Sequence, residues 1–201
     1  MSFMTAENSI QQGLGRANGD VVRPADRWFL WSGRHPVGAL LVTGFVAIQM
    51  ATMLAYFMPI IGLPELSWPQ HNGRLGAPES AEGSAERYAV GQFMHYLNGI
   101  AFTFVFGLLL HPVLPFKGEG FGNFGKALVF GAVLTFVSIG FVTPQIYVPE
   151  AHLGFLSFGK GWRLPLAIFL WHMIFAGHLG LLYNPDRSAR LVAEQQQTVG
   201  A

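Results

Sequence analysis

The sequence predicts an all-α membrane protein, a bundle of four transmembrane helices arranged as a parallel 2+2 internal repeat. Two observations predict the class. Only 11% of the 201 residues are charged and 51% are hydrophobic, where a soluble domain carries about a quarter charged residues; mean hydropathy is +0.38. Four apolar stretches, near 36–61, 88–113, 127–148 and 164–183, are each long enough at ~1.5 Å per residue to cross a ~30 Å hydrocarbon core. A third observation, a motif shared by the two halves, predicts the repeat.

The remaining composition narrows the function. A net charge of +1 offers no cationic field for nucleic acid. The absence of cysteine excludes disulfides, thiolate metal sites and c-type haem attachment.

Taken in order, residues 1–35 form a polar tail and an interfacial segment. No cleavable signal peptide is expected, because the first apolar run starts only near Val37 and lacks an A-x-A-like end. Arg23, Asp26, Arg27, Trp28 and Trp31 suit the headgroup boundary, where an indole ring is buried and its N–H is wet. The transmembrane domain covers residues 36–185. Pro36 opens its first span at a position where a missing N–H is harmless. Gln49, Thr52 and Tyr56 make a polar stripe on that span, expected to face protein rather than lipid. Residues 62–87, rich in Pro, Gly and Glu, read as an exposed loop.

The second span carries His95, Gly99, Thr103, Gly107 and His111 at four-residue intervals, with Asn98 beside them. Small residues at that spacing let helices approach closely. His95 and His111 lie about 24 Å apart along the axis. After a short Gly-rich link with Lys117 and Lys126, the third span holds Thr135, Ser138 and Thr143 and breaks at Pro144 and Pro149. A second loop runs from Glu150 to Arg163. The fourth span carries His172, His178 and Gly180 and stops at Asn184-Pro185. Residues 186–201 read as a polar C-terminal tail.

Four spans put both termini on one side. Arg16, Arg23, Arg27, Arg34, Lys117, Lys126, Arg187 and Arg190 fall there, against Arg74, Arg87, Lys160 and Arg163 opposite. The bias toward the terminal side predicts cytoplasmic termini in a bacterial inner membrane.

The halves share a motif. Pro59-x4-Pro64-Glu65 ends the first span and Pro144-x4-Pro149-Glu150 ends the third. Each is followed by a loop and then by a span with a histidine in its outer third. Corresponding spans run the same way, which is a parallel repeat about an axis along the membrane normal. His95 and His172 then lie ~10–12 Å below the outer boundary, at one depth.

These residues resemble a family of four-span bacterial inner-membrane proteins of unknown function. The resemblance rests on Met58 to Pro64, on His95-x3-Gly99, and on His172, Gly177, Gly180 and Tyr183. It covers the spans and not the tails. It departs where that family tends to carry His-x3-Gly in the last span, since Gly177 stands five residues after His172. The resemblance implies the topology and the pairing of the histidines, and no activity.

Two readings of the histidines stand side by side. In one, His95 and His172 bond across helices to Gln49, Thr52, Tyr56, Asn98 or Thr135 and fix packing register, with Gly99, Thr103, Gly107 and Gly180 setting close contacts. In the other they ligate a cofactor, either a haem b iron or the magnesium of a chlorophyll-type pigment. His111 and His178 are a weaker second pair. The pairs are sixteen and six residues apart on their two helices, so two stacked haems are not expected. Glu65, His71, Glu150 and His152 share the outer face, either as solvated loop residues or as a metal site. No carboxylate falls within a span and no hydrolase or zinc motif is present, so an enzyme is not expected. Small extramembrane mass and Phe-rich helix faces point to an accessory or assembly subunit of a larger respiratory or photosynthetic complex. Its expected partners are the lipid bilayer and other membrane subunits. The haem or pigment protein is the alternative.

Overall fold

In the computed structural model, which describes residues 23–115 and 121–199, every regular element is helical. The leader before Arg23, and Lys117 in the link, lie outside the described residues. Helix α1 (Pro24–Arg34) leads into α2 (Pro36–Phe57), which closes in a 3₁₀ turn at Met58–Ile61. A short α3 (Trp68–Gly76) precedes α4 (Ala85–Phe104), which continues through a π-helical stretch, Val105–Leu110, to Val113. Helix α5 (Phe121–Val137) also becomes π-helical, over Ser138–Tyr147. Helices α6 (Arg163–Leu182) and α7 (Pro185–Val199) complete the chain. Four of these helices are long and apolar enough to cross a membrane, so the chain is a multi-pass membrane protein built as a four-helix bundle. Their outer faces leave large apolar side chains such as Phe45, Phe57, Phe93, Leu108, Phe136 and Phe141 exposed, which suits contact with acyl chains.

The second span starts at Ala85, three residues before its apolar run. Ser84 caps it, its hydroxyl accepting from the Arg87 N–H at 3.3 Å, which satisfies one of the free donors of the first turn. Helix α2 is the centre of the bundle, packed against α4 on one side and α6 on the other. Its buried face includes Ala39, Ala47, Ala51 and Ala55, whose small side chains let its neighbours come close.

The α2–α4 seam advances in four-residue steps on both helices. His95 meets Thr52, Gly99 meets Ile48, Thr103 meets Gly44 and Gly107 meets Leu40. A Cβ on Gly44 would stand 2.9 Å from Thr103 Oγ1. The polar stripe of α2 bonds along the same helix: Tyr96 donates to Gln49, Thr52 contacts His95, and the Tyr56 and Tyr88 hydroxyls lie 2.6 Å apart. The α5–α6 seam repeats the four-residue step, with Gly131 against Ala176 and Gly180 against Ala127.

The two Pro-x4-Pro ends share one hydrogen bond although their backbones differ, a 3₁₀ turn in one and a π-helical stretch in the other. Leu63 N–H donates to the Met58 carbonyl at 3.1 Å and Val148 N–H to Thr143 at 3.0 Å, corresponding residues under the repeat. Pro144 costs α5 a donor. In π register its N–H would have reached the Ile139 carbonyl; the Ser157 hydroxyl takes that carbonyl instead, at 2.6 Å. The packing is less symmetric than the motif. Helix α5 meets α4 mainly at the inner π stretch, Val105–Leu110, where Phe106 stacks on Phe130 with centroids 5.5 Å apart. Beyond that point the two helices diverge and a cavity opens between them.

Two stretches differ from the sequence expectation. Residues 62–87 are not simply an exposed loop. Helix α3 folds back against the outer third of α4, burying Trp68, Pro69, Asn72 and Gly73. Glycines at the crossing make this fit. A Cβ on Gly91 would collide with the Pro69 carbonyl, and one on Gly73 with that of Arg87. The C-terminal stretch, expected as a polar tail, is helix α7, packed on α1. Arg187 bridges to Asp26 at 2.7 Å and lies over the Phe29 ring at 4.3 Å. Arg34 donates to Gln195, and Trp28 donates to the Leu182 carbonyl at 2.7 Å. The Arg187 and Arg23 guanidiniums hold the Asp26 carboxyl below its ordinary range. The two ends of the described chain thus form one amphipathic platform.

Candidate functional site: an aromatic cavity between α4 and α5

The cavity encloses about 400 Å³, within the range of roughly 300–1,000 Å³ usual for small-molecule sites. Its floor is Ile48, Gly99, Leu134 and Phe175, its roof is Trp68, Asn72 and Leu75 of α3, and His95, Trp171 and His172 form its inner wall. Lining residues on both sides of the gap, Asn98 and Phe102 of α4 and Val137 and Ile146 of α5, are also exposed on the outer surface. The cavity therefore opens sideways, at membrane depth, between α4 and α5.

His95 and His172 are more than nine-tenths buried and both border this space. Each has a defined tautomer. With the Thr52 hydroxyl proton given to the Ile48 carbonyl at 2.7 Å, the 2.8 Å contact with His95 Nε2 is made by the imidazole N–H. In the neutral ring the proton is then on Nε2, and Nδ1 carries a lone pair. For His172 the assignment is reversed. Its Nδ1 lies 2.8 Å from the Ile168 carbonyl, which only accepts, so the lone pair is on Nε2. Neither lone-pair nitrogen has a hydrogen-bond partner among the described residues, and both residues line the cavity.

The walls are aromatic. Trp171 lies parallel to Phe175 with centroids 6.0 Å apart, contacts His95 at 5.6 Å and meets Trp68 edge-on at 5.9 Å. The indole N–H groups of Trp68 and Trp171 are enclosed and have no acceptor. Asn72 organises the roof, accepting from Asn98 at 3.2 Å and Tyr147 at 3.0 Å and donating to the Trp68 carbonyl at 3.0 Å.

Outside the membrane spans, Arg74 clamps the roof to the loop beyond α5, pairing with Glu150 at 2.6 Å and reaching the Tyr147 carbonyl at 3.2 Å. That guanidinium keeps the Glu150 carboxyl below its ordinary range. His71 stacks on Tyr147 with centroids 5.4 Å apart, and burial lowers its pKa below 6.5. No group of three His, Cys, Asp or Glu able to hold a metal exists among the described residues. The outer-face metal site considered for Glu65, His71, Glu150 and His152 is therefore not assembled; Glu150 is taken by Arg74 and His71 by an aromatic stack.

The second histidine pair is not brought together either. His111 Nε2 donates to Asn123 Oδ1 at 3.0 Å, and Asn123 donates in turn to the Gly180 and Tyr183 carbonyls at 2.6 and 2.9 Å. Lys126 donates to the His111 carbonyl at 2.9 Å. His111 is thus part of a buried lock joining α4, α5 and α6 at the end of the bundle nearer helices α1 and α7. His178 only bonds back to Ile174 of its own helix, at 2.8 Å, and does not line the cavity. Sequence reasoning missed Trp68, Asn72 and Trp171. The tryptophan beside His172 was the one signal available, since a boundary residue is out of place two turns inside a span.

No protein-family model, no curated protein and no solved structure matches this chain.

Proposed function

We propose that the chain is an integral protein of the bacterial inner membrane, with cytoplasmic termini, that serves as an accessory subunit of a larger respiratory or photosynthetic assembly. In this reading it holds a small lipophilic molecule in the cavity between α4 and α5. One observation carries the ligand-binding part. Two imidazoles, each with one ring nitrogen held by Thr52 or by the Ile168 carbonyl, line one apolar space with the other ring nitrogen unpartnered. His111, by contrast, is tied to Asn123, and His178, which makes the same backbone bond as His172, lies outside the cavity. A buried acceptor left bare costs on the order of 1–3 kcal/mol, and an occupant with polar hydrogens would remove that cost. The sideways opening lets such a molecule enter from the bilayer. The subunit role is supported by the apolar outer faces, the small extramembrane mass and the absence of carboxylates from the apolar spans. The orientation is supported by the bias of Lys and Arg toward the terminal side.

The test is extraction into native-lipid nanodiscs followed by mass spectrometry. The expected result is a non-covalent small molecule, with co-purifying larger membrane subunits. The molecule should be absent from a His95→Ala/His172→Ala variant. Identical small-molecule contents in the wild type and the variant would overturn the ligand-binding reading.

One observation favours a second occupant. His172 Nδ1 donates to a backbone carbonyl, the outer-shell bond that orients a metal-ligating histidine, and leaves Nε2 free. A single haem b or chlorophyll-type pigment held by His172 fits this. Bis-histidine ligation fits less well, because His95 spends Nε2 on Thr52. A Soret or pigment band that His172→Ala abolishes would select this occupant; a colourless, stable protein would refute it.

A further inference from the structure

The tautomers say more about the occupant than its size does. We infer that the cavity selects a hydroxyl donor on a flat ring, a lipid-soluble aromatic diol of the quinol class, over its oxidised dione. This rests on the ligand-binding reading above. His95 Nδ1 and His172 Nε2 are both acceptors, fixed by protons committed elsewhere. A dione brings only acceptors and would set its oxygens against two lone pairs. A diol brings two O–H donors, one for each ring.

The remaining surfaces suit the same class. Trp171 and Phe175 form a parallel aromatic pair beside His95 and His172, against which a six-membered ring can stack. The opening past Phe102 and Val137 is apolar and faces lipid. A hydrocarbon tail on the ring would leave the cavity there and remain in the bilayer. No carboxylate or Lys lines the cavity, so nothing in it recognises a charged headgroup. Binding alone is inferred; no electron or proton transfer is assigned.

Thr52 is a positioning residue here, acting through His95 and not on the ligand. The probes are a decyl-substituted benzoquinol kept reduced under argon, the matching quinone, and the dimethyl ether of the quinol. Each is titrated into the protein in nanodiscs and read by tryptophan fluorescence, with empty nanodiscs correcting for partition into lipid. The quinol should bind about tenfold or more tightly than either analogue, the size of one or two hydrogen bonds lost. In Thr52→Val, which keeps shape but releases the His95 tautomer, the quinol-to-quinone ratio should fall several-fold while ether binding stays unchanged. A merely structural role for Thr52 would weaken all three ligands alike and would overturn the positioning argument. Equal binding of quinol, quinone and ether to the wild type would overturn the donor inference and leave ligand binding standing. If none binds, the inference falls; the native-nanodisc experiment then decides separately whether the cavity holds anything else.

Discussion

Asn123 offers the sharpest test of how the bundle is held at its inner end. Its side chain is fully buried and makes three hydrogen bonds, one to each of His111, the Gly180 carbonyl and the Tyr183 carbonyl. Helices α4, α5 and α6 meet there. Asn123→Ala removes all three. Interhelical bonds in membranes average about 0.6 kcal/mol each with a maximum near 1.7, so the bonds alone amount to roughly 2 kcal/mol. The His111 N–H is left without its partner in a site that water does not reach, which adds ~1 kcal/mol or more. The expected loss is about 2–4 kcal/mol, measured by equilibrium unfolding in mixed detergent–SDS micelles. His111→Phe should lose less, and the double variant should be less than additive, because the two residues share a bond. Thr135→Val is the control. The Thr135 hydroxyl only bonds back to Gly131 of its own helix, so its loss should stay under about 1 kcal/mol. An Asn123→Ala protein within about 0.5 kcal/mol of wild type would refute the lock.

Further outcomes follow from the roof and the seams. Gly91→Leu places a side chain where the Pro69 carbonyl of α3 now sits, so α3 should lift and its amides 68–76 should exchange faster with deuterium while the spans stay protected. Gly131→Leu overfills the α5–α6 seam against Ala176 and the His172 backbone and should cost about 1–3 kcal/mol. His71 is held below its ordinary pKa by burial, so the unfolded roof takes up a proton first. Its stabilising contribution is complete above about pH 6.5 and declines as pH falls toward the lower folded value. Exchange at α3, corrected for intrinsic rates, should rise between pH 7.5 and 5.5 in wild type and stay level in His71→Gln. The chain has no cysteine, so single substitutions report sidedness cleanly. Ser80→Cys should react with an impermeant maleimide from the periplasm and Gln196→Cys should not; the reverse labelling would invert the orientation.

Much of the bundle could be read from residues alone because its signals are local. Apolar runs give the spans, and Pro-x4-Pro gives two helix ends with the same hydrogen bond. The four-residue series from His95 to Gly107 gives one face of the α2–α4 seam. Counting residues inward from the loops predicts one depth for His95 and His172, and both residues line one cavity. What could not be read depends on distant partners. Helix α3 has a Pro-, Gly- and Asn-rich sequence that looks like loop, and only the Gly73–Gly91 crossing and the Asn72 bonds make it a roof. His111 stands in the same four-residue series as His95 and reads only as a weaker candidate; Asn123, twelve residues on and across a turn, is what gives it a separate role. Helix α7 is polar enough to pass for a tail, and it gains its partner only because α1 folds back onto it through Asp26 and Arg187. The divergence of α4 and α5 above Phe106 has no signature in either span, so the cavity itself was invisible.

The account turns on two imidazoles holding opposite tautomers with their bare nitrogens toward one space. Nitrogen-15 NMR of histidine-labelled protein in nanodiscs, assigned with His95→Gln and His172→Gln, reads this directly. The prediction is a neutral His95 protonated on Nε2 and a neutral His172 protonated on Nδ1, with only the bare nitrogens shifting when the quinol is added. Rings protonated on both nitrogens, or bare nitrogens that ignore every ligand, would contradict it.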